Sequence, residues 1–525
     1  MAAVATQPAP LAETSSAKWL IAISVALGAM LEIVDTSIVN VALTQMQASL
    51  GVTLSEVGWV VTSYGIANVI ILPLSAWLSD RFGRKRFFVF SLAAFTAASM
   101  MCGFSNSLWT LVAARVLQGL FGGGLLAKAQ SILFETFPRE EQPMAQALFG
   151  VVAIAGPAIG PTLGGYIVTN LDWRWIFFVN LPIGIIAVAM TASSLPPDEA
   201  NTKPKGGVDF LAIAYLAAGL GALQTVLEEG FSEDWFDSSL IRWMSLVSVA
   251  SLVLFVRRTL RAEHPVVDLR VLRYRSLAAG NVLSMVIGMG LYGAMFAVPI
   301  FAQSILHFTS QQTGLLMLPG ALASAFTMPL VAKLLRRIDP RALIFFGACV
   351  VVSSMTALAR LTPTTGQEDL FWPLMIRGFG TVFMFLPMSM AVLGPIPVKD
   401  ISAATGLYNL TRQLGGSIGI AILTTMLSSR QAFHRAVLVE KLGVSDFSTQ
   451  QRLQQLTAGF RASGSDLASA KGRAIAVLDG AVQLQSAVLS FNDTFYFGAA
   501  AFVVAMPLLF LLGKGKPGAP VDAGH

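Results

Sequence analysis

Residues 19–43 read WLIAISVALGAMLEIVDTSIVNVAL, an apolar stretch that is long enough to cross a bilayer and carries two carboxylates, Glu32 and Asp35, near its middle. The two acids are about one helical turn apart, so they lie on the same side of a helix. A charged side chain at bilayer depth costs several kcal/mol on insertion scales, and it therefore tends to face a protein interior or a wet cavity. Glu32 and Asp35 are the first candidates for a functional site.

The composition of the whole chain is typical of a membrane protein. Of its 525 residues, 55% are hydrophobic and 12% are charged, and the mean hydropathy is +0.68. Cys102 and Cys349 lie in separate apolar stretches, which argues against a disulfide framework and against a metal knuckle. Basic residues are concentrated in short loops, so the pI of 9.4 indicates membrane orientation and not nucleic-acid binding.

Further apolar stretches predict an all-α polytopic membrane protein with fourteen spanning helices. The predicted helices cover residues 18–43, 54–79, 87–105, 107–133, 142–168, 173–195, 208–227, 239–257, 276–305, 311–335, 341–361, 371–395, 402–428 and 490–512. An even number of spans places both ends of the chain on one side. Residues 1–17 lack the basic start and cleavage site of a secretory signal, so they are predicted to form a cytoplasmic tail, as are residues 513–525.

Loop charge predicts which side is cytoplasmic. Four basic residues follow predicted helix 2 in DRFGRKR, six arginines lie in 257–275 after helix 8, and more bases follow helix 10. The loop after helix 7, EEGFSEDWFDSS, has five acids and no base and falls on the opposite side. Because cytoplasmic loops are enriched in Lys and Arg, both termini are predicted to be cytoplasmic.

The chain also repeats itself. A shift of about 259 residues lays Gln118-Gly119 on Arg377-Gly378, and it lays Ala145, Gly156 and Gly160 on Ala404, Gly415 and Gly419. This predicts two related six-helix bundles, residues 18–195 and 276–512, with 196–275 inserted between them as a linker with two extra helices. Two parallel repeats with a site between them at mid-depth are typical of one large class of secondary transporters.

Two further motifs fall on these helices. The tight turn LSDRFGRKR holds Asp80, Arg81, Gly83 and Arg84, and the order of its acid, glycine and bases is more specific than a plain basic loop. In predicted helix 5, GPAIGPTLGG repeats glycine every four residues and adds two prolines, which favours close packing and kinks. Simple packing explains that pattern as well as a rocking interface does. The helix 5 residues are Gly156, Pro157, Gly160, Pro161, Gly164 and Gly165.

Together these motifs resemble the major facilitator superfamily, in its fourteen-helix drug:proton antiporter branch of the EmrB/QacA type. The resemblance covers nearly the whole chain. It rests on LEIVDTSIVNVAL, DRFGRKR, RVLQG, GPTLGG, WRWIFFVNLPIG, PVVDLRVL and GLYNLTRQLGGSIG. It implies a multi-pass exporter of the bacterial inner membrane that works by alternating access, is driven by inward proton flow and needs no cofactor beyond that gradient.

The proton site is predicted at Asp35, with Glu32 beside it and Arg115 of predicted helix 4 as the approaching cation. Burial and a neighbouring acid favour the protonated carboxyl, whereas an approaching arginine favours the ionised form. Protonation would then follow conformation. A purely structural buried pair between Arg115 and a carboxylate is the alternative reading. Asp80 with Arg84 is expected to brace the cytoplasmic gate against the start of helix 13 near Ser402.

The substrate cavity is predicted at mid-depth between the two bundles, where apolar walls with few polar groups allow loose recognition of amphipathic, drug-like molecules. Lys128, an unexpected charge in helix 4, could snorkel to the cytoplasmic interface, pair with a carboxylate or contact substrate, and snorkelling is the preferred interpretation. The candidate cavity residues are Asn40, Trp59, Tyr64, Asn68, Gln118, Tyr292, Gln303, Arg377 and Asn409.

Residues 429–489 form the longest predicted loop and face outward. Their mixture of apolar and charged residues is consistent with an amphipathic helix on the membrane or on a partner. The resemblance to EmrB-type exporters implies a periplasmic adaptor and an outer-membrane channel as partners, and a loop that rests on the protein's own surface is the equal alternative. Among rival functions, a facilitator or importer of a small metabolite is the main alternative, since this fold hosts many transport modes. A membrane enzyme is less favoured because the four histidines are scattered and no GxxxxGK[ST] motif occurs.

Overall fold

The structure, a computed structural model, describes residues 15–198, 207–443 and 446–512. Within these ranges the regular structure is entirely helical. The long helices are α1 (Ser15–Ile38), α2 (Leu54–Phe82), α3 (Arg84–Gly103), α4 (Leu108–Gly122 and Leu125–Thr136), α5 (Gln142–Asn170), α6 (Trp175–Phe178 and Asn180–Ser194), α7 (Phe210–Glu229), α8 (Ser239–Arg261), α9 (Arg275–Ser304), α10 (Ser310–Leu334), α11 (Pro340–Leu358), α12 (Gln367–Leu393), α13 (Val398–Lys441) and α14 (Leu467–Ala505). Shorter segments are Leu43–Leu50 and Phe447–Ala462, with 3-10 turns at Val39–Val41, Trp235–Asp237, Leu269–Arg273 and Met506–Leu511.

Twelve helical stretches in the described residues are long and apolar enough to cross a membrane. The helices α9 and α13 lie where the sequence predicts two more, so the long helices follow the predicted order. The predicted all-helical, multi-pass membrane fold is confirmed. Residues 1–14 and 513–525, which carry most of the two predicted tails, lie outside the described residues.

Several helices start at sequence-encoded caps. The hydroxyl of Thr53 accepts from the backbone N–H of Glu56 while the Glu56 carboxylate accepts from that of Thr53, and Thr309 makes the same reciprocal pair at the start of α10. In α4 the helix is interrupted after Gly122 and restarts at Leu125. The run of three glycines at this point favours the break, because glycine lowers the stability of a helix interior.

Both bundles are built on close glycine contacts between equivalent helices. A Cβ at Gly160 on α5 would lie 2.9 Å from the backbone nitrogen of Ile38 on α1, and one at Gly419 on α13 would lie 2.3 Å from the carbonyl oxygen of Met289 on α9. Such contacts bring helix backbones together where larger side chains would hold them apart. The bundles therefore repeat one packing arrangement.

The inserted helices α7 and α8 lie at the edge of the molecule. α7 packs on α2 and α13, and α8 packs on α7 with most of its surface exposed. The two bundles meet mainly where α5 contacts α10 and where α13 contacts α2 and the second part of α4. The end of the molecule that carries the loops after α2, α8 and α10 is called the basic end below.

The predicted loop 429–489 is largely helical, which corrects the boundaries of the last two predicted helices. α13 runs on to Lys441, the helix Phe447–Ala462 follows, and α14 begins at Leu467 instead of near residue 490. Residues 444–445 lie outside the described part. The sequence reading failed here because spans were sought as apolar stretches, whereas these extensions are polar helices continuous with the spans.

Candidate functional site

The carboxylate of Asp35 lies at the centre of a buried cluster that we call the Asp35 centre, formed by Asp35, Arg115, Gln118 and Asn180. Asp35 and Arg115 are both completely buried, and Arg115 Nη1 is 2.6 Å from Asp35 Oδ2. The amides of Gln118 and Asn180 donate to Asp35 Oδ1 at 2.7 and 2.8 Å. Three side chains thus donate hydrogen bonds to one carboxylate, and all four residues of the centre are buried.

Arg115 is fixed by its other contacts as well as by Asp35. Its Nε donates to the carbonyl oxygen of Val60 at 3.0 Å, Nη1 also donates to Gln118 Oε1 at 2.8 Å, and the guanidinium lies 4.0 Å from the centroid of the Tyr64 ring. Its Nη2 has no hydrogen-bond partner among the described residues. A buried pair of this kind is marginal in net stability, but removing one partner costs about 3–5 kcal/mol because the other charge stays buried alone.

Glu32 lies on the same helix but has different partners. Its Oε1 accepts from Asn68 Nδ2 at 3.0 Å, and its Oε2 accepts from the backbone N–H of Leu126 at 2.8 Å. Leu126 is in the first turn of the second part of α4, so the break in α4 presents the positive end of a helix dipole to the Glu32 carboxylate. Glu32 and Asp35 are therefore two separate sites, although the sequence placed them side by side.

A second set of polar contacts joins the two bundles. Asn68 Oδ1 accepts from Gln413 Nε2 on α13 at 3.0 Å, which connects Glu32 to the C-terminal bundle through one amide. Nearby, Arg412 Nη2 donates to Asn409 Oδ1 at 2.5 Å, and Asn409 donates to Gln130 Oε1 on α4 at 2.8 Å. The polar interface thus crosses from one bundle to the other near Glu32.

Sequence reasoning missed several of these residues. Asn180, Arg412 and Gln413 lie in motifs that carry the family resemblance, WRWIFFVNLPIG and GLYNLTRQLGGSIG, from which the sequence analysis singled out Asn409 alone. All three fall within predicted spanning helices, and that position was the available signal, because a charge or an amide at membrane depth needs a partner.

At the basic end, the charged partners differ from those predicted. Arg84 is paired with Glu135 and not with Asp80, which is exposed. Lys128 is almost fully buried, lies 4.0 Å from Glu135 and donates to Ser402 Oγ on α13 at 3.2 Å. Snorkelling was therefore the wrong interpretation of Lys128, because the nearest partners of the ammonium lie inside the protein. The hydroxyl of Ser402, near which Asp80 and Arg84 were expected to brace the gate, accepts from Lys128 instead.

The turn between α2 and α3 is held by an acid that the sequence analysis did not single out. The carboxylate of Asp198, at the end of the N-terminal bundle, accepts from the backbone N–H groups of Lys85 at 2.8 Å and Arg86 at 3.1 Å. Gly83 has a φ of 93°, and a Cβ there would collide with the Asp198 carboxylate. The guanidinium of Arg81 lies 5.5 Å from the centroid of the Trp77 ring.

The glycines of α5 serve two interfaces. A Cβ at Gly156 would meet Ile33 on α1, and the contacts of Gly160 and Gly164 lie on α1 and on the 3-10 turn that follows it. Gly165 faces the other bundle, where a Cβ would lie 2.9 Å from the backbone nitrogen of Gln311 on α10. The helix continues through Pro157 and Pro161. This arrangement allows both close packing and sliding, so the predicted rocking role stays a prediction.

The predicted cavity residues fall into three groups. Tyr64, Asn68 and Gln118 contact the buried charges, and Asn409 and Arg377 are buried on the C-terminal bundle. Asn40 and Gln303 are exposed and Trp59 is half-buried. The side chain of Tyr292 lies outside the described residues. Substrate contact by any of them stays a prediction.

Comparison with known proteins places the chain in a family. Residues 25–420 match the family model of the Major Facilitator Superfamily. The chain is 32% identical over 506 residues to the multidrug export protein EmrB of Escherichia coli (strain K12), with 96% of each protein covered. It is 28% identical over 498 residues to the colistin resistance protein EmrB of Acinetobacter baumannii, covering 95% of this chain and 97% of that protein.

Solved structures show the same fold. The crystal structure of a double tryptophan mutant of XylE superposes with a TM-score of 0.62 at 11% identity, and the match covers 96% of this chain and 98% of the other. This likeness shows the architecture alone. The family match and the full-length similarity to EmrB proteins show that this chain belongs to the Major Facilitator Superfamily, as its motifs predicted.

Proposed function

We propose that this chain is a proton-coupled antiporter that exports amphipathic, drug-like compounds across the bacterial cytoplasmic membrane by alternating access. The observation that carries the proposal is the fully buried Asp35–Arg115 pair, whose 2.6 Å contact lies inside the N-terminal bundle of a membrane protein. The relatives named as multidrug export and colistin resistance proteins supply the substrate class and the direction.

The electrostatics of the Asp35 centre provide a mechanism. With Arg115 in place, the cation and two amide donors compensate the charge of the Asp35 carboxylate. If a rearrangement of α1 and α4 withdrew Arg115, burial would favour the neutral acid, and Asp35 would take up a proton. Alternation between these arrangements binds a proton on one side of the membrane and releases it on the other.

The orientation and the remaining requirements belong to the same proposal. The basic end faces the cytoplasm, by the enrichment of Lys and Arg in cytoplasmic loops, so both termini are cytoplasmic. No cofactor is needed beyond the proton gradient. An enzymatic role is not proposed, because the chain belongs to a family of transporters and the buried charges are paired with each other.

A periplasmic adaptor and an outer-membrane channel are proposed partners. α13 has 44 residues, about 66 Å at the rise of an α-helix, which is roughly twice the thickness of the hydrocarbon core. Its extension, the helix Phe447–Ala462 and the start of α14 therefore project from the end opposite the basic end. Phe447 is 77% exposed there, and such an exposed aromatic residue suits a partner surface.

Proteoliposomes test the proposal. Purified protein is reconstituted, a pH difference is imposed, and a fluorescent cationic drug and the internal pH are followed together. We expect drug to move against its gradient while protons move the other way, and collapse of the pH difference to stop uphill movement. Equal transport with no pH difference and no voltage would favour the alternative, a facilitator, and would contradict proton coupling.

A further inference from the structure

A third carboxylate lies between helices at membrane depth, outside the Asp35 centre. Glu228 is at the end of the inserted helix α7 and packs on α2, where a Cβ at Gly65 would lie 2.8 Å from Glu228 Oε1. Gly65 follows Tyr64, whose ring contacts Arg115 on the other side of α2. Glu228 and the Asp35 centre therefore lie against different faces of the same turn of α2, at about the same depth.

The polar surroundings of Glu228 are incomplete. Gln224, one turn earlier and 2% exposed, donates to Glu228 Oε1 at 2.6 Å. Glu228 Oε2 and Gln224 Oε1 are both buried and have no hydrogen-bond partner among the described residues. An acceptor without a donor is costly to bury. A proton on Glu228 would remove the buried charge and turn one of these acceptors into a donor.

Hydrogen bonds connect this site to Glu32 through the C-terminal bundle. Gln224 Nε2 also donates to Ser417 Oγ on α13 at 3.0 Å, and Ser417 Oγ donates to the carbonyl oxygen of Gln413 at 3.4 Å. The side chain of Gln413 then donates to Asn68, which donates to Glu32. The chain of contacts leaves the inserted helix, enters α13 and returns to α1. Any movement of α13 relative to α2 breaks it.

The charges that face Glu228 are few. Its neighbour Glu229 accepts from Thr62 Oγ1 of α2 at 3.1 Å, and α13 presents neutral groups at this level. On α8, Arg242 donates to the carbonyl oxygens of Phe236 and Asp237. No cation lies within ion-pair distance of Glu228 among the described residues, so a charge on its carboxylate has no compensating partner.

We propose that Glu228 is a second proton-binding carboxylate of the transport cycle, carried by the inserted helix and exposed or sealed by the movement of α13 against α2. This inference rests on the proposed antiport. In the arrangement described here, Gln224 bridges Glu228 to Ser417. When α13 moves away, the bridge opens and Glu228 Oε2 exchanges protons with water at the end opposite the basic end. When α13 returns, a proton kept on the carboxyl removes the charge that would otherwise be buried without a cation.

Infrared difference spectroscopy of the purified protein tests the site without any transport. Spectra are recorded as the pH is changed, and the C=O stretching band of protonated carboxyl groups is followed. We expect Glu228→Gln to remove one component of the band, and the matched control Glu229→Gln to leave that component unchanged. Identical bands in wild type and Glu228→Gln would overturn the inference whether or not the wild type exports drug.

Flux measurements then test the role in the cycle. In proteoliposomes we expect the ratio of protons to drug to fall by about one in Glu228→Gln and to stay at the wild-type value in Glu229→Gln. If the wild type is proton-coupled and Glu228→Gln keeps the wild-type ratio, this inference fails while the proposed function stands. Should Glu228→Gln fail to fold, Glu228→Asp replaces it. Its shorter side chain is expected to shift the band, and an unshifted band would overturn the inference.

Discussion

In the N-terminal bundle, α4 approaches α2 so closely that a Cβ at Gly119 would lie 2.6 Å from the carbonyl oxygen of Tyr64. In the C-terminal bundle, α12 approaches α10 in the same way, and a Cβ at Gly378 would lie 2.0 Å from that of Gly320. These glycines are the pair that the internal repeat aligned. The contact between α5 and α1 is likewise repeated between α13 and α9.

The charges do not follow this repetition. Among the described residues, the two buried carboxylates, Glu32 and Asp35, are both on α1, and the N-terminal bundle also buries Arg115 and Lys128. The charged residues that the C-terminal bundle buries are both cations, Arg377 and Arg412. The two bundles thus share their backbone packing, but the buried carboxylates of the described bundle residues occur in the N-terminal bundle. Duplication has therefore preserved the close helix contacts, whereas the buried carboxylates are confined to one bundle.

The largest loss of stability is expected when Arg115 is replaced. Arg115→Met leaves Asp35 buried without its cation, and we expect the free energy of unfolding to fall by about 3–5 kcal/mol. Arg412→Met is the control from the C-terminal bundle. It should cost less, because Arg412 has no carboxylate within ion-pair distance among the described residues and its Nη1 is unpartnered.

The double variant Asp35→Asn/Arg115→Met sharpens that result. It removes both charges, so it should recover much of the stability lost in Arg115→Met. Unfolding in detergent, followed by loss of helical circular dichroism, measures all three variants. If Arg115→Met were as stable as wild type, the buried charge of Asp35 would not depend on Arg115 as its partner.

Glycine replacement tests whether the packing is shared. Gly160→Ala on α5 and Gly419→Ala on α13 each place a methyl group against a neighbouring backbone, and overpacking of this kind costs about 1–3 kcal/mol. Gly58→Ala is the control, because a Cβ there has nothing within 4 Å. Thermal midpoints should fall in both test variants. A loss in Gly160→Ala with none in Gly419→Ala would mean that the bundles are not packed alike.

The contact between the bundles at the basic end should have a smaller effect. Ser402→Ala removes the acceptor of the Lys128 ammonium, and we expect a loss of about 1 kcal/mol, since Glu135 still lies near that ammonium. Ser353→Ala, whose exposed hydroxyl bonds only within its own helix, should match wild type. Equal thermal midpoints for Ser402→Ala and wild type would show that this hydrogen bond does not stabilise the protein.

The smallest effect is expected at the ion pair between Asp209 and Arg258, which joins the two inserted helices and belongs to neither bundle. The hydrogen bond from Arg258 lowers the pKa of the Asp209 carboxyl below its usual range. Because that pKa is lowered in the folded state, the stabilisation is complete above the ordinary pKa of aspartate, about 4, and is lost as pH falls through the folded value. The midpoint difference between wild type and Asp209→Asn should therefore shrink on acidification. A difference that grows as pH falls would contradict this pairing.

Much of the fold could be predicted because bilayer thickness fixes the length of apolar helices, and loop charge marks their ends. The repeat was also visible, since close helix contact requires glycine at positions such as Gly160 and Gly419. The extension of α13 to Lys441 was not visible, because a polar helix beyond the bilayer lacks the apolar signal.

The site was predicted only in part. Asp35 and Arg115 could be paired in principle, because each is costly to bury alone. The break in α4 that gives Glu32 its own partners depends on how three glycines are packed, and the burial of Lys128 depends on Glu135 and on Ser402, which is distant in sequence. Such contacts are set by tertiary packing, and no single helix carries a signal for them.

The most direct test of proton coupling at the Asp35 centre compares two kinds of transport by Asp35→Asn in proteoliposomes. Exchange of labelled for unlabelled drug needs alternating access but no proton, whereas uphill export driven by a pH difference needs both. We predict that Asp35→Asn keeps exchange near the wild-type rate and loses uphill export. Uphill export at the wild-type level by this variant would contradict the account.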